Sequence, residues 1–197
     1  MTDRAQAYTL EAFVAALVLL GAVVFALQAT AVTPQSASTA SETHQQQLER
    51  AGHGALDDAV ADGSLRRTVL YWDSSTETFH GLESYESAYA NAALPTAFGA
   101  KLNRSFGATG IAYNVNIRYR QPSGASKTRA VVDSGTPSDD AVRVVELLTL
   151  YDDDVLSTES EAPGDETLTN ASFYAPDSAP DSGVYNVVTV EVVLWST

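Results

Sequence analysis

The sequence predicts an α+β protein: a long N-terminal helix, transmembrane in its first half, followed by a mainly antiparallel β-sheet domain with one or two short helices. Three observations carry this expectation. Ala12–Leu27 reads AFVAALVLLGAVVFAL, without a charge. Ile111, Tyr113, Val115, Ile117 and Tyr119 alternate with Ala112, Asn114, Asn116, Arg118 and Arg120, the period of a half-buried strand. Val184–Trp195 places Val188, Val190, Val192 and Leu194 on one face in the same way.

Taken in order, the apolar stretch continues past Gln28 and Thr30 to Val32, close to the roughly 20 residues that span hydrocarbon. Arg4, beside Asp3, is the only basic residue before it, which leans toward an inside N-terminus. Ala29-Thr30-Ala31 is similar to a signal-peptidase site, so removal of the whole segment is the alternative fate. Pro34 predicts a kink or stop near Thr33.

Ser36–Asp62 predicts a second helix, with Leu48, Ala51, Ala55, Leu56, Ala59 and Val60 on one side and Gly63 as its C′ residue. Gly52 and Gly54 weaken it by about 1 kcal/mol each. With both helices formed, residues 7–62 reach roughly 80 Å.

Arg67–Asp73 and Thr76–Leu82, separated by Ser74-Ser75, predict a hairpin. Residues 84–105 predict a helix interrupted at Leu94-Pro95. Pro122-Ser123-Gly124 turns the Ile111–Arg120 strand toward a partner near Lys127–Val132. Both periods fit Asp140–Tyr151, and its β-branched residues favour strand. Residues 152–182, rich in Asp, Glu, Ser, Pro and Gly, predict a long exposed loop.

Composition excludes several function classes. The chain has no cysteine, so disulfides and thiolate metal sites are ruled out. Its 25 acidic and 11 basic residues give a formal charge of −14, a field that repels phosphate backbones and argues against a nucleic-acid partner. Lys101 and Lys127 are the only lysines; acidity with scarce lysine fits adaptation to high salt, with plain solubility as the alternative reading. His44, His53 and His80 lack metal-ligand spacing, and Asp152-Asp153-Asp154 lacks the calcium-loop pattern and reads as a solvated turn. No nucleophile elbow, Walker loop or dinucleotide fingerprint is present. No enzyme activity, cofactor or metal is therefore expected. Asn103-Arg104-Ser105 and Asn170-Ala171-Ser172 are N-glycosylation acceptor triplets. The recurrent aromatics are expected to fill a core, with an exposed adhesive patch as the alternative.

Arg4-Ala5-Gln6-Ala7-Tyr8-Thr9-Leu10-Glu11 sets one carboxylate at the start of an apolar helix, where a lone charge needs a partner or water. This stretch resembles the processing region of type IV pilins and their archaeal relatives, in which a short basic leader is cut just before an apolar helix whose fifth residue is glutamate. The resemblance implies a class III signal peptide cleaved between Gln6 and Ala7 by a prepilin-type peptidase. It also implies that the new amine at Ala7 neutralises Glu11 of a neighbouring subunit. Gln6 stands where the family has Gly or Ala, and a cut after Ala5 would make Glu11 the sixth residue. The Val142–Asp154 stretch VRVVELLTLYDDD resembles a feature of uncharacterised pilin-like surface proteins of halophilic archaea.

The expected organisation is a leader (1–6), a transmembrane and assembly helix (7–33), a helical stalk (34–63), and an extracytoplasmic β-rich domain (64–197) carrying the acidic loop 152–182. The resemblance implies a structural subunit, a minor pilin or pseudopilin. It would be held single-pass in the cell membrane with its C-terminal domain outside, and incorporated into a surface filament or secretion-type complex. Its partners would be membrane lipid and other pilin-like subunits. Glu11 and the face built from Leu10, Val14, Leu17, Leu20 and Val24 would carry assembly. Ala12, Ala15, Ala16, Ala22 and Ala26 would allow close helix contact. The alternative is a permanently anchored single-pass receptor or adhesin.

Overall fold

One long strand organises the sheet. In the computed structural model, which describes residues 2–30, 35–83, 85–90 and 93–197, β9 (Val184–Ser196) pairs antiparallel with both β4 (Ile111–Arg120) and β6 (Val142–Tyr151). β5 (Ser126–Asp133) forms the expected hairpin with β4, and the short β3 (Tyr89–Ala90) runs parallel to β5. The order is β3-β5-β4-β9-β6, so the sheet is mixed. Two further hairpins stand apart from it, β1 (Trp72–Asp73) with β2 (Thr78–Phe79), and β7 (Val155–Ser157) with β8 (Pro163–Thr167).

The chain divides into two units, Met1–Thr43 and His44–Thr197. The first holds α1 (Thr2–Thr30) and the start of α2 (Gln35–Ala61); the second holds the rest of α2, α3 (Ser64–Val69), α4 (Ala97–Leu102) and all strands.

The expected long N-terminal helix, transmembrane in its first half, is corrected. The helical region is two elements, α1 and α2, and among the described residues no helix is long and apolar enough to cross a membrane. Ala12–Leu27 rises only about 24 Å at ~1.5 Å per residue, short of a hydrocarbon layer of about 30 Å. Glu11 precedes that run, and Gln28 and Thr30 follow it; only by counting through them to Val32 does the stretch approach a spanning length. The single-pass membrane localisation is overturned by the same finding. The expected kink at Pro34 lies outside the described residues.

Alternation along the strands sets which face is buried. Val188, Val190, Val192 and Leu194 of β9 join Tyr113, Val115, Ile117 and Tyr119 of β4 and Val144 and Leu150 of β6 in the core. Leu48, Ala55, Leu56 and Ala59 of α2 pack into the same core. Ala51 and Val60, expected on that side, are exposed, and Gly52 is buried instead. A Cβ on Gly52 would meet Leu194 Cδ1 at 2.8 Å and Val144 Cγ2 at 2.9 Å. The glycine that weakens the helix in isolation is what lets it lie against the sheet.

Gly63, with φ +73°, ends α2 and turns the chain into α3. Residues 67–69, expected as strand, are helical because Leu65 and Val69, four apart, both enter the core. The expected helix 84–105 is largely replaced. β3 takes Tyr89–Ala90, and helix begins only at Ala97, where the Thr96 side chain accepts a bond from Gly99 N. A π-helical turn, Asn103–Gly107, follows. The acidic loop is also more ordered than expected, carrying the β7–β8 hairpin and the buried residues Leu156, Leu168 and Ala175.

Candidate assembly surface

Every proposed assembly and processing residue falls on α1. Gln6, Ala7 and Leu10 lie in its first turns, where only the backbone is described. From Glu11 to Phe25 every side chain is exposed. Val14, Leu17, Leu20 and Val24 form a stripe covering about a third of the circumference. That stripe is not distinguished from its surroundings. Phe13 lies within it, Val18, Leu19, Val23 and Phe25 point in the remaining directions, and the large apolar side chains from Phe13 to Phe25 are 45–74 % exposed. A helix apolar on all sides is stable in water only when it is covered on all sides.

The sheet domain treats its apolar residues in the opposite way. Trp72, Phe79, Phe173, Tyr174 and Tyr185 interlock edge-on or tilted, with ring centroids 4.1–6.4 Å apart. Trp72 Nε1 donates to Ser172 O at 2.8 Å, Tyr174 Oη to Val69 O at 3.0 Å and Tyr185 Oη to Ala175 O at 3.0 Å. These bonds staple the acidic segment to the body, so the core reading of the aromatics holds for them; Tyr85 and Tyr151 are exposed. Arg129 lies over the Trp72 ring, 4.9 Å from its centroid. Sequence reasoning missed this contact, since nothing in the β5 pattern marks an inward arginine. Burial holds the Tyr174 hydroxyl well above its usual range and pushes Tyr113 up to about 12.

The remaining candidates are dispersed. His44 Nε2 lies 3.2 Å from Ser196 Oγ, His80 Nε2 lies 2.9 Å from Ser157 O, and His53 is exposed on α2. Asp154 is taken by Arg66 at 2.6 Å and by the Tyr151 amide at 2.8 Å, so the Asp152–Asp154 turn is an ion-paired strand end. Among the described residues no group of three or more His, Asp or Glu is placed to hold a metal. Asn103 and Asn170 are both exposed; the Asn170 amide donates to Thr167 Oγ1 at 2.9 Å. An open cleft of about 560 Å³ is lined by Tyr71, His80, Glu86, Tyr89 and Glu159 among others. In it the Tyr71 hydroxyl donates to Glu159 O and that of Tyr89 to His80 O, so both phenols serve the backbone. At the base of α2, Asp62 is held well below the usual carboxylate range by bonds from Ser64, with Lys101 adding to the effect.

The family model described as a family of unknown function, DUF7288, matches residues 4–194. No curated protein and no solved structure matches the chain.

Proposed function

The chain belongs to DUF7288, a family of unknown function, and from that premise we propose that it is a structural, non-enzymatic, pilin-like subunit that assembles with like subunits through α1. One observation carries the reading: Glu11–Phe25 presents large apolar side chains in every direction around a helix, with none of them buried. Covering a single Leu, Val or Phe is worth about 1.5–3 kcal/mol, so the side chains of α1 together supply a strong drive to bundle. Ala12, Ala15, Ala16, Gly21 and Ala22 keep parts of the helix narrow, and a Cβ at Gly21 would meet nothing within 4 Å.

Glu11 sits where such a bundle would close. A carboxylate enclosed among apolar helices is strongly destabilising unless paired. Cleavage before Ala7 by a prepilin-type peptidase would create an amine four residues away in sequence, placed to meet Glu11 of an adjacent copy. The subunit would then add to a filament or a secretion-type complex as a minor pilin or pseudopilin.

Mass-spectrometric determination of the N-terminus, paired with a Glu11→Val variant, tests this. The expected result is a chain beginning at Ala7, or at Gln6, and a variant that folds normally but enters assemblies at least tenfold less. An intact N-terminus together with normal assembly of the variant would overturn the reading.

A further inference from the structure

The sheet has a second face, and among the described residues of its own domain only half of that face is covered. The connection from β5 to β6 crosses one end, where Ser134 N donates to Asn114 Oδ1 at 2.7 Å and Asn114 Nδ2 to Gly135 O at 2.9 Å. There the outward-facing Val193 and Trp195 are buried. At the other end the register brings Arg118, Thr189 and Leu147 side by side across β4, β9 and β6, with Arg120, Val187 and Val145 next to them. Leu147 is 66 % exposed, Val145 45 % and Val187 40 %. A concavity of about 470 Å³ opens among Arg118, Arg120, Ser126, Leu147, Val187 and Thr189.

Two features make this end unusual in so acidic a molecule. Its charged rim is basic: Arg120 pairs with no carboxylate among the described residues, and Arg118 reaches only Glu191, at 3.6 Å. It also adjoins the free edge of the sheet. Arg66 Nη2 caps Thr149 O at 2.8 Å and Asp154 caps Tyr151 N, but the edge-facing amides of Val145 and Leu147 have no partner among the described residues. An edge left open beside exposed apolar residues is a site for another chain to add.

We propose that this open half-face docks the β7–β8 hairpin of a second copy of the chain. The argument is complementarity. In Glu159-Ser160-Glu161-Ala162-Pro163-Gly164-Asp165 the exposed carboxylates of Glu159 and Asp165 flank the exposed Ala162-Pro163. The receiving face sets Arg118 and Arg120 of β4 beside Val187 of β9 and Leu147 of β6, so basic and apolar groups share one concavity. The hairpin is held on the α3 side of its own domain, through Ser157 N to Leu70 O at 2.8 Å and Ser74 Oγ to Glu166 at 2.5 Å. Docking onto another copy leaves these bonds in place. Such a contact joins unlike surfaces, and a head-to-tail interface that does not close generates a filament. The inference rests on the assembling-subunit reading and adds the contact between outer domains that α1 does not provide.

Sedimentation of the full chain tests it. Arg118→Glu/Arg120→Glu and, separately, Glu159→Arg/Asp165→Arg each weaken self-association tenfold or more, and mixing the two variants restores it. As the chain has no cysteine, Arg120→Cys mixed with Asp165→Cys gives a disulfide-linked heterodimer under mild oxidation with diamide; neither alone does. Wild-type association with no cross-link and no loss in either charge variant overturns the docking surface and leaves the α1 reading standing. A cross-link that forms while Glu11→Val assembles normally overturns the α1 reading alone. Absence of both association and cross-link overturns both.

Discussion

α1 and β9 are both rich in valine and leucine, yet they end in opposite circumstances. β9 has strands on either side and helices over one face, so Val188, Val190, Val192 and Leu194 are buried by their own chain. α1 offers the same kind of side chain in every direction, and no residue from Glu11 to Phe25 is buried. The difference teaches that apolar content does not state who covers it. A period of two commits one face of a strand to an internal core, whereas a helix without a polar side has no solvent face to present. The first element stabilises the fold; in the reading proposed above, the second stabilises an assembly.

The largest expected effect separates the two regions outright. Removing residues 1–43 weakens self-association at least tenfold, leaving only the contact between sheet domains, while His44–Thr197 keeps a cooperative thermal transition with a Tm within about 2 °C of the full chain; ultracentrifugation and circular dichroism read the two outcomes. A domain that unfolds on truncation would show that α1 serves the internal core after all.

Matched truncations of single side chains sharpen the contrast. Leu56→Ala, in the core, costs about 2–5 kcal/mol. Leu17→Ala, on α1, changes the stability of the sheet domain by less than about 0.5 kcal/mol and weakens assembly instead. Denaturant melts resolve both values.

Gly52→Leu tests the approach of α2 to the sheet. A side chain there collides with Leu194 and Val144, so the expected cost is about 1–3 kcal/mol of overpacking. The same change at Gly54, where a Cβ meets nothing within 4 Å, stabilises the helix slightly through propensity.

The smallest effect is a pH dependence confined to the sheet domain. Burial raises Tyr113 from 10.0 to about 12. Below pH 10 both states keep the phenol protonated and stability is unaffected. Between pH 10 and 12 the unfolded chain loses this proton and the folded chain retains it, so stability falls as pH rises. A Tyr113→Phe variant shows a shallower decline in Tm over that window.

Much of the sheet was legible in the sequence because its strands are half-buried. β4 and the middle of β9 match their alternating patterns, and β5 lies where the turn through Gly124 was expected to place a partner strand. β6 was legible only as a preference for β-branched residues, since its outer face carries Val145 and Leu147 as well as charges. Where segments were misread, a few buried anchors sit among polar neighbours. Leu156 and Leu168 hold the β7–β8 hairpin, and Leu65 with Val69 turns an expected strand into α3. One or two anchors leave no period to detect. The basic, open end of the outer face had no signal at all, because Arg118 and Arg120 acquire apolar neighbours only through register with β9 and β6.

Composition and periodicity by themselves determined the α+β class, the charge of the body, the absence of disulfides and the position of the one element that is apolar all round. Tertiary structure alone decided what those features amount to. Whether an apolar helix is long enough for a membrane, which glycine is a defect and which a contact, and whether a loop is anchored are questions of distance. A one-dimensional pattern records what each residue prefers, but distances are set by every element that packs against it.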